Sequence, residues 1–598
     1  MPLAAPTPAL GPLRGPSPQG EGESRAAPSP YAPILLGAAL LLWPAAINGY
    51  PLVFSDTGTY LSQAIHHYLG WDRPVFYSLF LLPLHLTLTT WPVIVAQALL
   101  AAATLHLLRR ALLPAMSAWW LVPLLAALAL ASALPWLASQ LMPDLFTGLL
   151  VLTLGLLGFA AASLSRGERL WLTGFSAFMI ATHQSHLLLA LLLLPTLLAL
   201  QWWLGPGTGR PAIGRPGTGH PGAGRDSRAL LAAGRAALPL LAAPALACVA
   251  LIGVNLIGHH RASVAPFSNV FSLARVIYDG PGMRALQRDC PSAHWRLCPY
   301  LDQFPAIADQ FLWQQDGPLV RAGGAKLVST EANAIMASAI AAEPITELRA
   351  VLANSARQLA RFATGDGLQA WPTTVTPWIL RDFPRFEADT YLAARQTNDV
   401  LELPAWLLTL HRAVALIGVA VCCALLPVAL RRRHRVTGFL ALVLLALPLN
   451  ALITGGLSGP HDRYQSRVMW LPPLLAALAI PALTISARAR SARRQGPPQS
   501  AQGTPVCICG FTTLLPDVVR ATGVQHEAGN GRGRGDAIRP AGPFSSIAAR
   551  RLSAIAARQR KLVNAAAEPS CGGPSGASPS SVPITRPDRR PAPPRVDG

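Results

Sequence analysis

Apolar runs close to 20 residues long, separated by short polar breaks, recur from Tyr31 to about residue 487. That is the length a helix needs to cross roughly 30 Å of hydrocarbon, so the pattern predicts an all-α polytopic membrane protein. Ten transmembrane helices are expected, near 31–49, 91–108, 118–138, 141–163, 170–182, 187–204, 229–257, 403–430, 436–454 and 468–487. The stretch 170–204 is too long for one straight span. It breaks at His183-Gln184-Ser185-His186, which predicts two helices meeting at a polar turn beside protein or water.

Between the seventh and eighth spans, residues 259–402 carry 13 basic and 14 acidic residues and many aromatics, the balance of one folded soluble domain. Helical stretches such as Thr330–Ala342 and Thr346–Phe362 predict a mainly helical or mixed fold for it. The chain then divides into an N-terminal segment 1–30 without apolar period, a transmembrane module 31–258, that soluble domain, C-terminal spans within 403–487, and a tail 488–598. Inside the first module, residues 50–90 form a loop between spans and 205–228 a Gly/Pro-rich insert. Insert and termini are expected to be disordered.

Charge fixes the orientation this pattern takes. Placing the N-terminus in the cytoplasm puts Arg109-Arg110, Arg166, Arg169, the arginines of the insert, Arg431–Arg435 and Arg488–Arg494 all inside, as positive-inside sorting requires. Both tails are then cytoplasmic, and 50–90 and 259–402 are external. The net charge of +21 would otherwise suggest nucleic acid as a partner. Residues from Arg488 onward hold 17 basic against 6 acidic positions, and the remainder sits in short inter-span loops, so the basicity is topological. With 52 % hydrophobic and 13 % charged residues and a mean hydropathy of +0.37, the partner implied is membrane lipid. Residues 1–30 show no cleavable export signal. Of the 8 cysteines, only Cys290 and Cys298 fall in the external segment, where an oxidising compartment lets them form a disulfide.

Four acids remain in the membrane part once loops, tails and the soluble domain are set aside: Asp56, Asp72, Asp144 and Asp462. All four fall on the external side, and ionisable groups at a bilayer usually face a cavity or a partner. Each has a plainer reading. Ser55 or Asp56 could cap the amphipathic helix that follows, and Asp144 after Pro143 is locally favoured in a first helical turn. Arg73 precedes a proline in DRPVFYSLFLLPL, while Arg463 and Arg467, four apart in GPHDRYQSRVMW, share a helical face able to grip a phosphate. Interfacial anchoring, or an Arg463–Asp462 surface pair, is the alternative. His183 and His186 share a face too. No third ligand lies at metal spacing, so no cofactor is predicted, although a divalent metal is compatible with the acids. Nucleotide-binding loops, serine elbows and metalloprotease helices are absent from the sequence.

The order YPLVFSDTGTYL, DRPVFYSLFLLPL, LMPDLFTGLLVL and GFSAFMIATHQSHLLLALLLLP over about residues 31–204 resembles the GT-C superfamily of membrane glycosyltransferases, which includes protein O-mannosyltransferases and lipid A aminoarabinose transferases. The resemblance implies transfer of a sugar from a polyprenyl-phosphate-linked donor to a glycan, lipid or protein acceptor at the outer face of a bacterial inner membrane. It implies Asp56 as general base, Asp144 as its helper, and Arg73 as the group holding the donor phosphate. His183, His186, Arg463 and Arg467 join as substrate-binding candidates by position alone. Thr57 stands where some members carry a second acid, and Val75 where a second proline is usual, which leaves metal dependence and acceptor class open. A transporter or lipid flippase would need polar spans and related halves, which the sequence does not show. A non-catalytic scaffold, with the acids as caps and anchors, is the other alternative.

Overall fold

The structure, a computed structural model, describes residues 31–204 and 223–494, and within them every regular element is a helix. The first half runs α1 (Tyr31–Leu40), α2 (Trp43–Asn48), α3 (Ser55–His66), α4 (Phe76–His85), α5 (Trp91–Leu112), α6 (Leu121–Ala131), α7 (Leu134–Ala138), α8 (Asp144–Phe159), α9 (Arg166–Thr182), α10 (Gln184–Leu204) and α11 (Ala223–His259). Then come α12 (Asn269–Tyr278), α13 (Pro281–Ala293), α14 (Ala308–Trp313), α15 (Pro318–Arg321), α16 (Gly324–Ala342), α17 (Pro344–Ala360), α18 (Thr376–Asp382) and α19 (Arg385–Leu392). The chain closes with α20 (Ala405–Arg431), α21 (Val436–Ala451), a π turn Leu452–Gly456, α22 (Asp462–Met469) and α23 (Leu471–Arg494).

Among the described residues, six helices are long and apolar enough to cross a membrane: Trp91–Leu112, Gln184–Leu204, Gly234–His259, Ala405–Arg431, Val436–Gly456 and Asp462–Arg488. Six such helices mark a multi-pass membrane protein. The other expected spans are shorter than the sequence pattern predicts, for visible reasons. Residues 31–49 divide into α1 and α2 ahead of Pro44, and 118–138 divide at Ser132, whose extended backbone precedes Pro135. Proline has no N–H to give the preceding turn, so an apolar run containing it need not be one helix. The run from 141 contracts to the 16 residues of α8, and α9 begins four residues earlier than expected, at a Ser165–Glu168 capping box. Glu168 accepts from the Ser165 N–H at 2.8 Å and from Arg110 at 2.7 Å. The break at His183 is present, with extended backbone between α9 and α10.

Two boundaries need correction. Residues 223–228 belong to α11 rather than to a disordered insert, and 488–494 continue α23 rather than open a disordered tail. The expectations for 1–30, 205–222 and 495–598 lie outside the described residues.

Residues 259–402 are helical, with no strand among them, and contribute to more than one core. Val270, Leu273, Leu286, Phe311, Val328 and Ile335 pack into a core of their own. Val375, Ile379, Phe383 and Tyr391 instead join the core of the apolar helices. Cys290 and Cys298 are joined, with Cα atoms 5.4 Å apart, closing the turn between α13 and the 3₁₀ segment Cys298–Gln303.

Glu387 is the bolt between the later segment and the start of α5. Its Oε1 accepts from the Tyr50 hydroxyl and from the Thr90 N–H, each at 2.8 Å. The Thr90 hydroxyl donates to the same oxygen at 2.8 Å and lies 2.9 Å from the Tyr50 hydroxyl, so truncation in Glu387→Ala strands the buried Thr90 N–H at about 1–3 kcal/mol and leaves the two hydroxyls only each other. A loss of roughly 3 kcal/mol is therefore expected in thermal or denaturant unfolding of detergent-solubilised protein. An unchanged unfolding midpoint would show that the bolt carries no stability.

Candidate active site

A short parallel bridge brings two sequence-distant acids together. Leu52 N–H donates to the Ser139 carbonyl at 2.9 Å, and Leu141 N–H donates to the Leu52 carbonyl at 2.8 Å. Asp56 stands four residues beyond Leu52, and Asp144 four beyond Gln140, the residue bridged to Leu52. Thr57 reinforces the join, donating to the Leu141 carbonyl at 3.1 Å while its hydroxyl accepts from the Phe54 N–H at 2.9 Å. The second contact caps α3. Capping by Asp56 is therefore not how this helix starts, and its carboxylate is free to face elsewhere. Asp144 makes no side-chain cap for α8 either.

Both carboxylates face arginines. Arg73 Nη2 donates to Asp56 Oδ1 at 2.8 Å, and its Nη1 donates to the Asp72 carbonyl at 2.9 Å. Arg463 lies between the acids, its Nη1 3.6 Å from Asp56 and 3.7 Å from Asp144. Arg467 Nη2 is 2.8 Å from Asp144 Oδ1, an ion-pair contact off hydrogen-bond alignment. Arg467 is 0 % and Asp144 1 % exposed, so this pair is shut away from water. Burial pushes the Asp56 carboxyl up, but Arg73 and Arg463 outweigh it and hold the group below its ordinary 3.8. Burial has the upper hand at Asp72, whose carboxyl is raised. Tyr60, one turn beyond Asp56, is raised far above the ordinary phenol by burial.

Arg463 and Arg467, both buried, and the nearly buried Arg73 thus face two carboxylates. Arg73 Nε, Arg463 Nη1, all three side-chain nitrogens of Arg467 and the Tyr60 hydroxyl have no hydrogen-bond partner, nor do Asp56 Oδ2 and both Asp144 oxygens, which Arg463 Nη1 and Arg467 Nη2 meet only as ion pairs. Three cations against two acids, with Arg73 Nε and the Arg467 Nε and Nη1 donors left over, are the chemistry of an anion site. Aromatic faces frame it. The Arg463 guanidinium sits 3.8 Å from the Phe54 ring centroid, and the Arg73 guanidinium 5.6 Å from that of Trp313 and 5.9 Å from that of Phe271. Gly367, at φ +84°, passes so close to Phe54 that an added Cβ would lie 2.2 Å from its ring. Beside Arg73 lies a small cavity of about 20 Å³, lined by Leu251, Val254, Val264 and Phe76 and, as polar positions, by Arg73 itself, Gln184, Asn255 and His259.

Asp56, Arg73, Asp144, Arg463 and Arg467 meet in this one place. Of the two histidines, His183 lies beside the cluster, within electrostatic reach of Arg467, Arg73 and Arg463, whereas His186 braces the helices. His186 is used up structurally, its Nδ1 2.7 Å from the Met179 carbonyl and its Nε2 2.7 Å from Thr147 Oγ1. His183 Nδ1 lies 2.8 Å from Ser185 Oγ. Asp462 pairs with Arg361 and accepts from the Ala363 N–H at 2.8 Å, so it holds the start of α22 outside the cluster and is not the partner of Arg463. Tyr60 and Phe54 were missed from the sequence. Tyr60 was findable, four residues from Asp56 on the same face; Phe54 was not, because only the fold brings it to Arg463. Among the described residues no group of three or more His, Cys, Asp or Glu side chains converges as a metal would need. Searches against protein-family models, curated proteins and solved structures return no match for the chain.

Removing one member of a buried pair costs more than removing both. Arg467→Met should leave Asp144 short of its closest cation and destabilise the protein by about 3–5 kcal/mol. Adding Asp144→Asn should recover most of that loss in unfolding midpoint. Additive losses in the double variant would show that the two groups do not act as a pair.

Proposed function

We propose that this protein is a GT-C-type membrane glycosyltransferase that moves a sugar from a polyprenyl-phosphate-linked donor to an acceptor hydroxyl. The observation that carries the reading is the excess of guanidinium groups over the carboxylates Asp56 and Asp144, with a small cavity beside Arg73. A lipid phosphate presents a dianionic or monoanionic head, and the guanidinium cluster offers a seat for it. Arg73, with Arg463 and Arg467 behind it, would take the phosphate.

The chemistry then follows from the charges. Arg73 at 2.8 Å depresses the basicity of Asp56. A donor phosphate competes for Arg73, and as that contact weakens the Asp56 carboxylate becomes the stronger base it must be. The acceptor oxygen attacks the anomeric carbon and gives its proton to Asp56. The bond from that carbon to the phosphate oxygen breaks, and the polyprenyl phosphate leaves with the electron pair, its charge met by the arginines. Asp144 holds Arg463 and Arg467 in place. The acceptor is a glycan, lipid or protein.

The topology that goes with this reading adds the four shorter apolar helices or helix pairs to the six long ones, for ten spans in a bacterial inner membrane. Residues 259–402 then lie outside with the site, and both termini lie in the cytoplasm. Gln315 is exposed beyond α14 and suits a reporter cysteine. Labelling there by an impermeant maleimide on intact spheroplasts is expected; labelling only after lysis would reverse the orientation and remove the site from the outer face.

Asp56→Asn keeps the shape and removes the charge. With purified protein and a polyprenyl-phosphate sugar, it should lose about 10²–10⁴ in turnover at unchanged protein level. Arg73→Ala should chiefly raise the donor KM. Since the Asp56 pKa is lowered, its base form persists down to pH values under 3.8 in the free enzyme, so kcat/KM should not fall on the acid side until then. The acid limb of kcat should sit at higher pH, because bound donor draws Arg73 away. Parent-like turnover by Asp56→Asn would end this assignment and favour a non-catalytic scaffold.

A further inference from the structure

Helix α17 is inside out. Its buried residues are Glu347, Asn354 and Gln358, whereas Ile345, Leu348, Leu352 and Leu359 are 59, 54, 58 and 42 % exposed. At 3.6 residues per turn the four apolar side chains fall within about 60° of arc, with the three buried polar ones opposite. A helix bathed in water on its outer face would have the reverse polarity.

The polar side is committed, so the helix cannot turn over. Glu347 pairs with Arg275, and Asn354 donates to Asp279 at 2.8 Å. Gln358 takes both backbone groups of His461, donating to its carbonyl at 2.7 Å and accepting from its N–H at 2.9 Å. On the same side α17 presses against the π turn Leu452–Gly456. An added Cβ at Gly455 would lie 2.5 Å from the Cβ of Gln358, so the two backbones approach as closely as glycine permits.

That turn ends the candidate span Val436–Gly456, which sets the level of α17 at the edge of the hydrocarbon layer. Leu457, next along the chain, is exposed as well. Arg349 lies exposed on the flank of the apolar stripe, placed for lipid phosphates, whereas Arg357 turns to the protein side and donates to Asn354. Four half-exposed side chains offer on the order of a few hundred Å², short of the roughly 800 Å² per partner that a stable protein interface buries. From this we infer that α17 is an interfacial membrane helix, its Ile345–Leu348–Leu352–Leu359 stripe seated at the headgroup–acyl boundary and Arg349 beside it facing anionic lipid heads.

The inference does not depend on the transfer reaction proposed above. It does give the bilayer a grip on the site, because Gln358 fixes His461, the residue before the helix that carries Arg463 and Arg467.

The test uses the full-length protein with every cysteine outside the Cys290–Cys298 pair replaced by alanine, in liposomes of phosphatidylethanolamine and phosphatidylglycerol. Nitroxide labels are placed singly at Leu348, Leu352 and, as an aqueous reference, Gln315. Collision with oxygen should exceed collision with a nickel chelate at Leu348 and Leu352, with the opposite order at Gln315. An aqueous reading at Leu348 and Leu352, with Gln315 also aqueous and the protein inserted, overturns the inference. Dipolar broadening between singly labelled molecules at Leu352 would assign the stripe to a second copy and overturn it equally. Arg349→Gln provides a variant that leaves the apolar stripe intact: the depth of the Leu352 label should follow the phosphatidylglycerol fraction in the parent and cease to do so in the variant, and a dependence retained in the variant counts against Arg349 as the lipid-facing charge.

Discussion

Five charged side chains gathered in one place, four of them buried and Arg73 nearly so, set the terms for the rest of this structure. Arg73, Asp56, Arg463, Asp144 and Arg467 come from segments more than 400 residues apart in the chain, and none is tolerable there alone. The order of contact makes them interdependent, since Asp56 is shared by two arginines and Arg463 by two acids. Much of the surrounding hydrogen bonding serves to hold α22 in register with this cluster. Gln465 spans to α21, donating to the Leu447 carbonyl at 3.1 Å and accepting from Asn450 at 2.9 Å. The exposed Asp366 accepts from the Arg463 N–H at 2.9 Å, and Asp462 takes the chain on the other side of the helix start. A helix of only 8 residues is thereby fixed at both faces before its arginines are asked to point inward.

The same cluster explains what a reader of the sequence can and cannot find. Scarcity makes Asp56 and Asp144 conspicuous, because a carboxylate in an apolar setting has few uses, and a spacing of four puts Arg463 and Arg467 on one face. His183 and His186 look equally placed, yet His186 spends both ring nitrogens on Met179 and Thr147. Nothing in the spacing distinguishes a histidine that binds from one that braces. Whether Asp56 caps α3 is decided by the neighbouring Thr57, whose hydroxyl reaches the Phe54 N–H first. Apolar length alone locates the six long helices. It overestimates the shorter ones, where Pro44, Pro135 and Pro143 cut runs that hydropathy reads as continuous. For α17 it recognises the helix but assigns it to water, since the sequence does not say which of its two faces meets the protein.

Electrostatic order in the resting site bears on how such a site could work. Asp56 is pinned by Arg73 and held in its ionised form, so it is a weak base while the arginine remains its partner. Arg73 in turn has a free Nε and two aromatic rings within reach of its guanidinium face, which keep it in place without using its donors. An arriving anion therefore finds a cation that is oriented and incompletely paired. Its binding changes the environment of the carboxylate by exchange of partners rather than by any movement of the chain.

Such an exchange works only if the scaffold does not relax around the change in charge. Packed apolar helices resist it from below, where Gly148 lets Trp470 lie against α8 so closely that an added Cβ would be 2.5 Å from its ring. From above, the constraint runs through α17, which meets the π turn after α21 at Gly455 and Gly456 and holds His461, at the start of α22, through Gln358. If the outer stripe of that helix is held by lipid, the bilayer itself is one wall of the vice. The energy that holds α22 and its arginines in register then comes partly from hydrocarbon burial outside the protein, a contribution that contacts within the chain do not contain.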